Sequence, residues 1–533
     1  MAGFNDQWEP LDLGTPDNTG LIRSMLRDGN TFTNLSVLPD LYVKDENETI
    51  SRTATGYHWK DRASGDWVDY DASGRFTASG HLNITVAHSL YDPYGKLTGI
   101  LDARGRQVLW YSYSGNNISS VHDAANRSVS YQYDAAGRIT TFTDVLGHAW
   151  HYQYNTKGYL VKRTDPLGRT LSIIYAADGK TASVKDQDGI GASYQFSFDD
   201  KTREYYMKEA SSGQVREYWY SSGYHLLRRK VNGQPAYTVQ GTTGKNIQQI
   251  TDASGHTVTE EYDDSNNVIK RTYADGTTQH YTWHQDYDLP LSETNENGIT
   301  TRFTYDAYAN LISKTEADRT PLARSTDYSY DAYGQLISTT RAGITTSFTY
   351  DPYGNRQSTT DALGNITSFT YDMLGNPLTI TDALENVWRS EYDAAGNLLK
   401  RIDPQGHATT YAYDAASRRI SETDANGNIT TYAYDNQDRL TTITDAAGGV
   451  TRMEYDTAGQ MIRQTDAEGH VTSFGYDSHG RMTTVTDGNG NVIRTVFSGT
   501  GFQPQKMVYP TFTRSMAYDV RNRLTTSTTA NLF

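Results

Sequence analysis

Asp361, Asp382, Asp403, Asp424, Asp445, Asp466 and Asp487 follow one another every 21 residues. Each lies 11 residues beyond a tyrosine of the set Tyr350, Tyr371, Tyr392, Tyr413, Tyr434, Tyr455 and Tyr476, and each tyrosine is itself followed by Asp. Carboxylates at this density could act as a general acid and base, or ligate calcium. A catalytic pair, however, has no reason to recur in every repeat of a long chain. The aspartates sit in "DALG" (361–364), "DPQG" (403–406), "DANG" (424–427) and "DAEG" (466–469). Asp at the first position and Gly at the fourth is type I turn chemistry: the carboxylate accepts a backbone hydrogen bond two residues on, and Gly takes a conformation other residues resist.

The remaining candidates fare no better. "DQDGIG" (186–191) lacks the 12-residue ligand spacing and closing Glu of a calcium loop. His148 and His151, three apart, point to opposite faces of a strand and cannot share a metal. No GxSxG elbow, HExxH helix or phosphate-cradling glycine loop occurs. We therefore assign no catalytic residue, metal or cofactor, and treat the chain as non-enzymatic. The repeated Tyr and Asp residues named above are read as structural anchors.

The elements that position them follow from the same period. The Tyr-Asp pair opens a second turn in each unit, as in "DPYG" (351–354), "DMLG" (372–375) and "DTAG" (456–459). Between turns lie about six residues rich in Thr, Ile, Val, Tyr and Phe, a strand composition. Aromatics come two apart, as Tyr411/Tyr413, Tyr432/Tyr434 and Phe474/Tyr476, so each pair points to one face. Upstream the period loosens but persists through Tyr70, Tyr91, Tyr113, Tyr133, Tyr154, Tyr175, Phe196, Tyr262, Trp283, Tyr305 and Tyr330, with approximate positions near Tyr218 and Val239.

Short turns at both ends of every strand allow only antiparallel neighbours. The expected fold is all-β: a continuous antiparallel meander of about 22 hairpins, a ribbon on the order of 200 Å long and ~20 Å wide. Open sheets of that length curl, so the ribbon is expected to coil into a hollow spiral cocoon. Composition agrees. Hydrophobic residues make up 36% of the 533, mean hydropathy is −0.68, and Tyr (41) far outnumbers Phe (14) and Trp (8). That is too polar for a dense core and too aromatic for disorder. A net charge of −15 without a basic tract argues against nucleic acid. No apolar run reaches the length of a membrane span. With no cysteine, there is neither a disulfide framework nor a thiolate metal site. Residues 1–56 break the period and read as a non-repeat cap or plug, with helical turns in "LIRSMLRD" (21–28) and loop in "LPDLYVKDENET" (38–49). Residues 57–533 form the repeat body, strictly regular from about residue 330.

The units "GNITSFTYDMLGNPLTITDA" and "GNITTYAYDNQDRLTTITDAAG" closely resemble the YD repeats of the Rhs family, bacterial polymorphic toxins with relatives in insecticidal toxin complexes and teneurins. The resemblance covers roughly residues 57–530. It implies a secreted, non-catalytic shell that encloses a toxin domain until delivery to a target cell, commonly by type VI secretion, in interbacterial competition or host intoxication. The implied partners are that toxin, on the same natural chain or a second one, the remainder of the shell, secretion components, and an immunity protein acting through the toxin. The family's core motif and upstream adaptor have no counterpart here, so the chain is expected to be a fragment of a shell or one chain of a split shell, with an open C-terminal edge.

The paired rings admit other uses. They can pack repeat against repeat, line a cavity for an unfolded guest, or form an outer stacking platform for sugars. The last underlies the rival reading, a cell-surface carbohydrate-binding or adhesion module.

Overall fold

The computed structural model describes residues 11, 13, 24–27, 30–35, 38–44, 48–211, 213–222, 226–241, 247–499 and 501–532. Their strands form one 49-stranded sheet. Each strand pairs antiparallel with the next in sequence, from Ser24–Arg27 against Asn30–Leu35 to Phe512–Tyr518 against Leu524–Asn531. Among the described residues there is no helix, and the first and last strands pair on one side only. The meander is continuous and does not close into a barrel.

The turns show why. Between strands Arg356–Thr360 and Ile366–Tyr371, the Gly364 N–H donates to the Asp361 carbonyl and the Asp361 N–H to the Asn365 carbonyl, both at 3.0 Å. Gly364 has φ +84°, the left-handed value that closes a type I turn with a bulge. At the tyrosine turns the strand register also shifts, as between Ala433 and Tyr434, which leaves Tyr434 opposite Leu440. A bulge bends its strand and sharpens the local twist. Repeated along the ribbon, it coils the sheet.

The coil is visible in bonds between residues far apart in sequence. The Asn83 amide donates to the Ala307 carbonyl at 2.7 Å, Arg127 to the Ala394 carbonyl at 2.9 Å, and Asn522 to the Asp252 carboxylate at 2.9 Å. These offsets of 224, 267 and 270 residues mark one winding stacked on the next. A compact monomer of this mass would expose about 19,000 Å²; this chain exposes 29874 Å². The difference is the second face of a wall one sheet thick.

Dense packing is confined to the start of the ribbon. Phe32, Ile50, Val68, Phe76 and Ile100 are fully buried, and the buried members of the apolar cluster end at Val129, with Tyr131, Phe142 and Val145 packed against it. Past that point Ala309 and Met453 are the only buried hydrophobic residues among those described. Three expectations need correction here. Ser24–Arg27 is a strand where helical turns were expected, although residues 21–23 and 28 lie outside the described residues. Its side chains alternate, Met25 inward and Leu26 outward, and the buried Arg27 stacks on Trp59 at 3.6 Å and donates to the Tyr70 hydroxyl at 2.8 Å. Leu38–Val43 and Glu48–Arg52 are likewise strands of the same sheet, not loop. Finally, Gly191–Asp199 and Glu204–Ser211 pair without a bulge, which delays the period by two residues. The tyrosine of the next unit is therefore Tyr220, opposite Leu226 beside a register shift, and not Tyr218.

Candidate functional site

Two features of the wall concern function: its aromatic face and the seam between windings. The aromatic face can be followed across strands. Tyr111 pairs with Val121 and Val121 with Val129, all in the buried cluster. Two residues on, Tyr131 pairs with Phe142 and Phe142 with Trp150. The first winding thus closes over the face that carries the paired rings, and a sheet keeps its faces along its length. In the second winding the same alternation persists. Within Ala408–Tyr413, Thr410 and Ala412 are exposed while Thr409, Tyr411 and Tyr413 are half-buried. Cross-strand pairs Phe369–Ile380, Ile380–Trp388 and Tyr432–Ile443 continue the row. The rings face inward.

Their hydroxyls serve the wall. Tyr350 donates to the Leu336 carbonyl at 2.7 Å, Tyr434 to Arg419 at 2.8 Å, Tyr455 to Leu440 at 2.8 Å and Tyr476 to Met461 at 2.9 Å. Burial holds the phenols of Tyr371, Tyr413 and Tyr476 above their ordinary range. Tyr392 occupies the same turn position, opposite Leu398.

The aspartates are equally committed. In Asp361, Asp382, Asp424 and Asp487 one carboxylate oxygen accepts two backbone N–H groups, and the other accepts the side-chain amide four residues on, from Asn365, Asn386, Asn428 and Asn491. Those amides, foremost, hold the carboxyls below the usual range. His407 and His470 take the amide's place at Asp403 and Asp466, at 2.9 and 3.0 Å. Partial burial works against ionisation there, and the histidine hydrogen bonds outweigh it. Asp445 accepts only the N–H groups of Ala447 and Gly449.

The two turn classes define the two edges of the ribbon, and the seam joins one to the other. Turns at the midpoint of first-winding repeats meet tyrosine turns of the second winding. Arg104 donates to the Pro352 carbonyl at 3.0 Å and lies over the Tyr333 ring at 4.3 Å. Arg169 pairs with both Asp165 and Asp438, and Arg418 reaches the same Asp438 at 2.8 Å. Arg523 reaches Glu296 at 3.0 Å. The "DQDGIG" loop belongs to this seam: Gln437 donates to Asp186 at 2.7 Å, and Asn436 to Asp188 at 3.0 Å. This use was not legible in the motif, because its partners lie about 250 residues away.

The candidates for chemistry stay apart. His148 sits in a turn, 3.4 Å from Asp144, while His151 is exposed on the following strand and contacts Thr141. Asp466, Glu468 and His470 place ligand atoms within 4.8 Å of one another on an exposed turn. Both Asp466 oxygens already serve that turn. Among the described residues no helix is long and apolar enough to cross a membrane.

The fold and seam define a coiled β-repeat wall with an inward aromatic face. Residues 111–144, 133–170, 243–278 and 455–492 match the RHS Repeat family, and residues 294–453 match the Teneurin YD-shell family. The chain is a member of the Rhs/YD-repeat family. A comparison with curated protein sequences found no match. Among solved structures, TcdB2–TccC3 is 13% identical with a TM-score of 0.39, covering 83% of this chain and 32% of the other. TcdB2–TccC3 without its hypervariable C-terminal region is 13% identical (TM-score 0.38; 98% and 36% covered), and a Photorhabdus luminescens Tc holotoxin pore is 11% identical (TM-score 0.39; 98% and 44% covered). The chain thus spans less than half the length of the chains it resembles.

Proposed function

We propose that this chain is the non-catalytic encapsulating shell of an Rhs-type secreted polymorphic toxin. Its wall holds a toxin domain, carried on the same natural polypeptide or on a second one, out of contact with the producing cell. In this reading the product leaves the cell, by type VI secretion or another route, for interbacterial competition or host intoxication. The observation that carries the proposal is the wall itself: one sheet thick, wound on itself, with surface far beyond a compact particle of its mass and aromatic rings turned inward. The recurrent Tyr and Asp residues serve as repeat anchors, and residues 1–56 serve as a cap or plug at the packed end.

The rival adhesion reading requires free carboxylates and outward rings. The carboxylates at most midpoint turns are used twice over within their turns, which weighs against it.

Co-expression with the polypeptide encoded alongside, purification and limited proteolysis test the shell. The accompanying polypeptide should co-purify and resist protease until the wall is denatured. Digestion at the same rate with and without the shell would overturn the proposal, and specific ligands on a glycan array would favour the rival.

A further inference from the structure

The strands sort their cations by face. Past Val129, every strand lysine among the described residues except Lys314 lies on the outer face, as Lys162 opposite Gln153, Lys208 opposite Gln195 and Lys506 opposite Val496. Arginine goes the other way, more often inside than outside. Arg163 lies opposite Tyr152, Arg229 opposite Tyr218, and Arg401 opposite Ser390, two residues from the inward Trp388. Arg356 lies over the Phe348 ring at 4.6 Å. Methionine shares this face, as Met207 opposite Phe196 and Met453 opposite Gln464.

Packing alone does not produce this division. Both side chains carry a long apolar stem, and either stem can cover the surface of a wall one sheet thick. Surfaces that meet another polypeptide are enriched in aromatic residues, Met and Arg and depleted in Lys. The inner face has that composition, and the outer face keeps the lysines of free surface. Inner carboxylates are mostly taken: Glu209 by Arg216 at 3.1 Å, Glu260 by Arg271 at 2.6 Å, Glu316 by Arg341 at 3.0 Å and Glu422 by Arg419 at 2.9 Å. Arg163, Arg229, Arg356 and Arg401 are exposed and meet no carboxylate among the described residues. Against them stands Glu293, opposite Tyr281 and without an ion pair. The inner surplus is therefore positive, although the chain as a whole carries −15, because its acidic residues concentrate in the turns at the edges.

We infer that the inner face binds its guest directly, and that the guest is an acidic polypeptide whose carboxylates reach the free arginines between the rings. A guanidinium fork takes a carboxylate through two parallel hydrogen bonds, and a neighbouring ring packs the adjoining side chain. Arg401 shows the unit: with Trp388 and Tyr411 it lines an inward cavity of about 640 Å³. Asp403 and Asp424 at its rim are held by their own turns, so the guanidinium is the free charge. Trp, Tyr and Arg are the residue types that dominate polypeptide interfaces. The four arginines are spread over both windings, which fits a chain that touches the wall at many points, not one patch. Which face is inner is set by the packed start of the ribbon, whatever lies beyond its end. That a guest exists rests on the shell reading; its acidity and its direct attachment go beyond that reading.

The test uses the full chain and a fluorescein-labelled random Glu–Tyr copolymer at about 0.15 M salt, where long-range repulsion from the edges is screened. Fluorescence anisotropy should show binding. Arg163→Gln, Arg229→Gln, Arg356→Gln and Arg401→Gln together should weaken it about tenfold or more. The outer set Lys162→Gln, Lys185→Gln, Lys208→Gln and Lys506→Gln removes the same charge and should leave affinity within about twofold. Arg163→Lys, Arg229→Lys, Arg356→Lys and Arg401→Lys together keep the charge, with circular dichroism unchanged, and should fall between the two because lysine cannot supply the fork. No binding by the unaltered chain, or equal losses from the inner and outer sets, would overturn the inference. The copolymer stands in for the natural guest, so binding through the inner arginines would survive a finding that no accompanying polypeptide is protected, and that finding would count against the shell reading alone.

Discussion

The hydroxyl of Tyr455 donates to the carbonyl of Leu440 at 2.8 Å, and Leu440 is the residue the bulge sets opposite Tyr434. The relation then advances: Tyr455 lies opposite Met461, and Tyr476 donates to the Met461 carbonyl at 2.9 Å. Each tyrosine thus fastens its own repeat to the one before. Tyr434→Phe and Tyr476→Phe should each cost about 1 kcal/mol in urea titrations, the net worth of one hydrogen bond. The two bonds share no partner, so the double substitution should be additive within a few tenths of a kcal/mol. A null effect of both would mean the rings act by packing alone.

The seam should separate from the strands. Arg127→Ala and Arg169→Ala remove bonds to the second winding while leaving every strand pair intact. Far-UV circular dichroism should be unchanged, while small-angle scattering reports a larger radius of gyration, more so at low urea concentration. Partly exposed ion pairs contribute up to about 1 kcal/mol each, so the double variant should show the expansion more clearly than either single one. An unaltered scattering profile would assign the stacking of windings to other contacts.

Stability should be flat across the neutral range and fall at both extremes. The turn carboxyls of Asp361, Asp424 and Asp487 are held low chiefly by asparagine amides, and that of Asp519, held low first by the Arg523 backbone N–H, lies at about 2. Their contribution is complete above the unfolded value of about 3.9 and is lost as pH falls through the lowered values. Desolvation pushes the phenols of buried Tyr111 and half-buried Tyr305 up to about 12. Theirs is complete below about 10 and is lost as pH rises toward 12. Melting temperature against pH should therefore show a plateau between about 4 and 10. A slope inside that window would mean that other groups govern the pH dependence.

Some turns carry a strained residue where glycine belongs. Glu385 and Ser417 have φ of +64° and +58° at the position that Gly364 and Gly427 fill in sister turns. Glu385→Gly and Ser417→Gly should each stabilise by about 0.5–1 kcal/mol, and Gly427→Ala should destabilise by about 1 kcal/mol, although its added Cβ meets no neighbour within 4 Å. Thermal unfolding of the three variants measures this directly.

Much of the wall can be read from the chain because its rules are local. A turn needs five residues, and a pair of rings needs three, so the 21-residue period and the direction of Tyr432 and Tyr434 relative to each other follow from spacing alone. Which face is inner does not. That depends on the cluster around Val68 and Ile100, where the ribbon closes over its own start. Arg27 obscured its strand because a buried arginine breaks the apolar alternation until Trp59 and Tyr70 are known to receive it. The seam was hidden for a different reason: Arg169 and Asp438 are 269 residues apart, and no local rule links them.

Strand pairing that only ever joins neighbours in sequence has a kinetic consequence. Loop closure for each new strand spans a few residues, so the entropic barrier to adding it stays small however long the chain becomes. The wall can grow from its packed beginning, hairpin by hairpin, each registered by the edge just laid down. Only the stacking of windings must wait, until some two hundred further residues have been placed. Inserting or deleting a whole 21-residue unit would leave every ladder bond in place and shift the stacking by one notch, so the circumference of such a vessel can be altered without redesigning any of its strands.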